Sequence, residues 1–145
     1  MRDALDAAQK LGEKIEIVHA SSEAEIDAAF IRLRGIRTGA LLVQGDACLI
    51  NERIVALAAR DALPAMYQAR ELVAAGGLMS YGSSLADMYR QMGVYAGKVL
   101  KGANPAEMPV LQPIKFEMAI NLQTAKALGV TISDNLLSLA DEVIE

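Results

Sequence analysis

Four side chains stand where this sequence could do chemistry: Asp46 after GALLVQG, Tyr67 after LPAM, and Tyr81 and Ser84 within SYGSS. A carboxylate can orient a donor group, a tyrosine ring can stack on an apolar or aromatic molecule, and a serine hydroxyl can accept a hydrogen bond. Each follows a short apolar run. In a parallel sheet such positions fall at the carboxyl ends of the strands, where open α/β sheets hold ligands. Structural roles are open to the same residues, since Asp46 and Ser84 can cap helices and Tyr67 and Tyr81 can pack.

Other chemistries find little to work with. His19 is the only histidine, so a Ser-His-Asp arrangement would have to use it, and its place in a turn suits a solvated side chain better. Cys48 is the only cysteine, which rules out an internal disulfide and a thiolate metal cluster built from this chain. No Gly-x-Gly-x-x-Gly follows a strand, no Gly-x-x-x-x-Gly-Lys loop occurs, and Gly76-Gly77 precedes a strand where a phosphate loop would precede a helix. We therefore expect no cofactor and no metal. Acidic residues such as Glu23, Glu25 and Asp27 lie on helix faces, where they serve solubility and capping. The methionines, Met66, Met79, Met88 and Met92 among them, read as gap-filling core residues.

The elements that must position these residues are legible from periodicity. Met1–Leu11 has helical spacing, with Gly12 at the stop. Lys14–Val18 alternates as a half-buried strand, and Ser22 with Glu25 forms a capping box ahead of a helix whose stripe is Ile26, Ala29, Phe30 and Leu33. GALLV at 39–43 is apolar throughout, which suits a parallel strand covered on both faces, and Ile50, Ile54, Leu57 and Ala58 line the helix after it. PAMYQ, a single-turn helix in RELVAAG stopped by Gly76, and GLMSY follow. Ser84 and Asp87 cap a helix that runs to about Leu100. The segment GANPAEMPVLQP connects to an alternating strand KFEMAIN, and short helices at about 123–128 and 134–142 end the chain. Strands and helices alternating at this spacing predict an α/β fold with a doubly wound, mostly parallel sheet and helices on both faces.

Composition narrows the partners. The 14 Lys and Arg residues are scattered singly in a chain of net charge -4, so no basic face exists for nucleic acid. No run approaches the ~18 apolar residues of a membrane span.

From about Leu41 to Glu145, the blocks LPAMYQARELVAAGGLMSYGSSLADMYRQMGVYAGKVLKGANPAEMPVLQPIKFEMAINLQTAKALGV and LADEVIE resemble the carboxyl-terminal half of ABC-transporter substrate-binding proteins of the tryptophan/tyrosine-permease-like group, type I periplasmic binding proteins. That resemblance implies a two-lobed parent without catalysis, outside the cytoplasm, that closes over a small organic molecule and delivers it to an ABC permease. It implies that residues 1–84 form the second lobe and that residues 85–145 supply a crossover helix, a hinge-region strand and terminal helices belonging or returning to the first lobe. The signal peptide and most of the first lobe would then lie outside this chain. Tyr81 and Ser84 would face ligand near a hinge, with Asp46 and Tyr67 beside them. Relatives often carry Asn or Asp where Ser84 stands, and an acidic or aromatic pair where Gln68 and Ala69 stand. A serine can hydrogen-bond an ammonium but cannot neutralise it. Uncovered interlobe surface would favour a homodimer of the truncated chain. A ligand-sensing domain of a transcriptional regulator and a small flavodoxin-like enzyme are the alternative readings.

Overall fold

The computed structural model describes residues 2–45 and 51–145, so Asp46, Cys48 and Ile50 lie outside the described residues. The chain divides into two compact units, Met1–Ile36 and Arg37–Glu145.

The first unit holds α1 (Arg2–Leu11) and α2 (Glu23–Gly35). Gly12 ends α1 at φ +74°, a backbone state that costs a glycine nothing. Ser22 Oγ accepts the Glu25 N–H at 3.3 Å, as a capping box requires. The return bond lands one residue earlier than that motif specifies: the Glu25 carboxylate accepts the Ser21 N–H at 2.7 Å and the Ser21 hydroxyl at 2.8 Å, and these two bonds hold its pKa below the usual value. Ile26, Phe30 and Leu33 form the buried stripe of α2. The strand expected at Lys14–Val18 does not form. Alternation makes a segment fit for a sheet, but a strand exists only through ladder bonds to a neighbour, and among the described residues this segment has none.

The second unit is built on a five-stranded sheet in the order β1-β2-β3-β4-β5: β1 (Leu41–Leu42), β2 (Ala65–Tyr67), β3 (Met79–Ser83), β4 (Phe116–Asn121) and β5 (Glu142–Ile144). β1, β2 and β3 run parallel, β4 pairs antiparallel with β3, and β5 is parallel to β4. Helix α3 (Glu52–Arg60) joins β1 to β2 and buries Ile54, Val55, Leu57 and Ala58; α4 (Arg70–Ala74) joins β2 to β3 and buries Leu72 and Val73. The fold is thus α/β with a mostly parallel sheet. Two local expectations change. The strand in GALLV is confined to Leu41–Leu42 at one edge of the sheet among the described residues, and it is not covered on both faces: Leu42 stands 63% exposed while Val43 is buried. The helix expected at 134–142 stops at Leu137 as α7 (Asp134–Leu137), because Val143 and Ile144 pair with Ile120 and Asn121 of β4. β-branched residues beside a central strand gain more from that pairing than from a helix turn.

Two polar anchors fix the terminal segment. Asn121, buried at the end of β4, accepts the Thr124 N–H at 3.0 Å to cap α6 (Leu122–Leu128) and gives its amide to the Val73 carbonyl at 3.3 Å. The Thr124 hydroxyl reaches the Gly76 carbonyl at 2.9 Å. These bonds tie the start of α6 to α4 and to the turn before β3.

Candidate functional site

The register Leu42↔Met66 and Met66↔Met79 brings the carboxyl ends of β1, β2 and β3 together, so that Gly45, Gln68, Gly82 and Ser83 meet at one edge. A cleft of about 390 Å³ opens there, lined also by Arg70 and Glu71 of α4 and by Glu117 of β4. Ala69, Leu85, Met88 and Pro113 give it an apolar side. This is the position the parallel-sheet rule assigns to ligands.

Gln68 is wedged between its neighbours. A Cβ on Gly45 would lie 1.1 Å from Gln68 Oε1, and one on Gly82 would lie 2.0 Å from the Gln68 carbonyl oxygen. Hydrogen is the one side chain that leaves Gln68 undisturbed on both sides.

The charged groups are organised in pairs. Arg70 gives Nε–H to Glu142 Oε2 at 2.9 Å and Nη2–H to Glu142 Oε1 at 2.7 Å, and these bonds push its pKa up. Glu117 is held below the usual carboxylate range, first by the Ser84 hydroxyl and then by Lys115, whose Nζ stands 3.1 Å from Glu117 Oε1.

The residues expected from sequence fall in different places. Ser84 is 3% exposed and caps helix α5 (Leu85–Leu100) by accepting the Asp87 N–H at 3.3 Å; its own N–H goes to the Lys115 carbonyl at 3.0 Å. It is not among the residues that line the cleft. Tyr81 is 49% exposed and stacks on Phe116, ring centroids 5.7 Å apart at 18°. Tyr67 is 2% exposed, and burial pushes its phenol up to about 12. Its ring carbon Cε2 would lie 2.6 Å from a Cβ on Gly77, so it packs into the core and does not line the cleft. Asp46 lies outside the described residues. Gln68, Arg70, Glu71, Ser83 and Glu117 are polar cleft residues that were not among the expected site residues; the signals for Gln68 were its place beside Tyr67 at a strand end and the acidic or aromatic residue that relatives carry there.

Beyond Ser84 the chain leaves the sheet. From Leu85 through Lys115 no residue is buried. Met92, Tyr95 and Val99 of α5 face Pro105, Met108 and Leu111 across an apolar groove of about 670 Å³ that shares Met88 and Pro113 with the cleft. The Tyr95 hydroxyl pins the loop by donating to the Pro109 carbonyl at 2.7 Å.

Comparison with known proteins places this architecture. A family model described as ABC transporter substrate binding protein matches residues 1–144. The chain belongs to the ABC transporter substrate-binding proteins. These are binding proteins that work outside the cytoplasm rather than a family of enzymes. Among solved structures, the chain is similar to an ABC domain in complex with L-Trp from Streptococcus pneumonia, with 28% identity and TM-score 0.89 over 99% of this chain and 49% of that one. It shares its fold with a conserved domain protein from Vibrio cholerae, at 22% identity and TM-score 0.83 over 98% of this chain and 49% of that one. It also shares its fold with the ligand-free, open form of a substrate-binding protein with adhesive properties from Clostridium difficile, at 23% identity and TM-score 0.63 over 99% and 48%. A search of curated proteins found no match. The chain spans about half the length of the solved structures that it resembles.

Proposed function

We propose that this chain supplies one wall of the ligand cleft of an ABC importer's solute-capturing subunit, which binds a small organic molecule outside the cytoplasm and passes it to a membrane permease without transforming it. The observation that carries this reading is the cleft at the converging ends of β1, β2 and β3, in a chain matched along its length by the substrate-binding family. The L-Trp held by the Streptococcus pneumonia relative supports an amino acid or aromatic compound as the ligand class. The test is calorimetry on the full-length protein with amino acids and aromatic acids. One saturable site is expected, and silence across the panel contradicts the reading.

Residues 85–115 fit the same reading. A long helix without a buried residue, carrying its own apolar groove, is a surface built to be covered, and the solved relatives are about twice this chain's length. In the intact protein, α5 and its loop pack on the other lobe, while β4 and β5 return to the sheet. Ser84, whose N–H bonds the Lys115 carbonyl, ties the exit of that excursion to its re-entry. Expressed alone, the 145-residue chain covers this face with a second copy. Light scattering of the isolated chain at high concentration is expected to give the dimer mass, and a clean monomer contradicts the self-association.

A further inference from the structure

The two sides of the strand-end cleft point to which end of a ligand enters it. Among the described residues that line it, Arg70 is the one cation, and it is already engaged with Glu142 through Nε and Nη2. A ligand carboxylate would have to share that guanidinium with Glu142 and settle in a cleft that Glu71 and Glu117 also line. Glu117 offers the opposite. Its two oxygens present about four acceptor positions, and Lys115, 3.1 Å from Oε1, takes up part of that capacity. Gln68, fixed between Gly45 and Gly82, adds an amide at the cleft floor. Leu85, Met88 and Pro113 extend the apolar side from there toward the groove along α5.

We propose that the cleft receives the protonated amine of its ligand, with Glu117 as the counter-charge and Gln68 as a second acceptor, while the ligand's apolar body lies along Leu85, Met88 and Pro113. This rests on the solute-binding reading and adds the charge and orientation of what is bound. Arg70 is a positioning residue here: paired with Glu142, it ties the start of β5 to the start of α4 and leaves the ligand's cation to Glu117.

The test uses the full-length two-lobed protein and three probes that share one ring: 2-phenylethylamine, 3-phenylpropanoate and L-phenylalanine, titrated by calorimetry. The amine is expected to bind and the carboxylate-only probe to bind at least about tenfold more weakly. Glu117→Gln keeps the size and some hydrogen-bonding capacity but removes the charge, and should weaken the amine by about tenfold or more. Gly45→Ala, which displaces only the flexible end of Gln68, should weaken it severalfold. Tighter binding of 3-phenylpropanoate than of the amine, or an amine affinity unmoved by Glu117→Gln in a variant that still melts cooperatively, overturns the inference and leaves solute binding standing. Failure of all three probes on the unmodified protein also overturns it, and the wider panel then judges solute binding on its own.

Discussion

Truncating Tyr67 separates a core role from a ligand-facing one. The side chain is 2% exposed on a strand between β1 and β3, with its ring against the backbone of Gly77. A tyrosine buries about 150 to 250 Å², worth about 4 to 6 kcal/mol at ~25 cal/mol per Å² as an upper bound. Truncations of buried aromatic residues to alanine cost about 3 to 5 kcal/mol, so the two routes agree on about 4 kcal/mol for Tyr67→Ala. At roughly 3 °C per kcal/mol for a domain of this size, the melting temperature should fall by about 12 °C. Tyr67→Phe keeps the ring and removes a hydroxyl to which no hydrogen bond is seen among the described residues, so it should change stability by less than about 1 kcal/mol. The phenol adds a pH signature. Burial raises its pKa from 10.0 to about 12, so folding favours the protonated form; the stabilisation is full below pH 10 and is lost between pH 10 and about 12. Thermal denaturation followed by circular dichroism from pH 8 to 12 measures both, with Tyr67→Phe expected to show a shallower alkaline decline than the parent. A Tyr67→Ala variant melting within about 2 °C of the parent while losing ligand affinity would refute the core assignment.

Further outcomes follow from the same contacts. Ser84→Ala removes the cap of α5 and should cost about 1 kcal/mol in urea denaturation, with Glu117 titrating closer to the ordinary carboxylate range by NMR. Gly82→Ala sets a Cβ against the Gln68 backbone and should destabilise by about 1 to 3 kcal/mol, clearly more than Gly45→Ala, which meets only a side-chain end; equal melting temperatures would contradict this. Glu25, Asp87 and Glu117 all have lowered pKa values, so each stabilises the fold above its unfolded pKa and loses that contribution as pH falls through the lower folded value. The melting temperature should therefore decline below about pH 4.5, gently because all three are solvent-screened.

Local signals in the sequence carried well where the physics is local. The Ser22 and Ser84 caps, the stop at Gly12 and three of the four residues read as the buried stripe of α2 depend on neighbours within one turn, and these are found; Ala29 is half-buried, and the Glu25 return bond goes to Ser21. Long-range pairing carried poorly. KIEIV alternates as a strand should, yet nothing in the segment says whether a partner will lie beside it. The end of the chain reads as helix until β4 is there to pair with it. At the cleft the difficulty was parity. LPAMYQ does not reveal which residue turns inward, so Tyr67, the more conspicuous side chain, drew attention while its neighbour Gln68 holds the cleft floor. Arg70 and Glu142 are 72 positions apart, and Glu117 arrives on a strand that runs back antiparallel after a long excursion, so no spacing rule links them.

The central claim is that the strand-end cleft is where the solute sits, and a filled cleft tests it most directly. Ser83→Trp places an indole in a space of about 390 Å³ from a strand position that accepts aromatic residues. Calorimetric titration of the full-length Ser83→Trp protein with a solute that binds the unmodified protein should show binding abolished, with the melting temperature of the free protein changed by only a few degrees. A variant that melts as the parent does and still binds that solute with unchanged affinity would contradict the account.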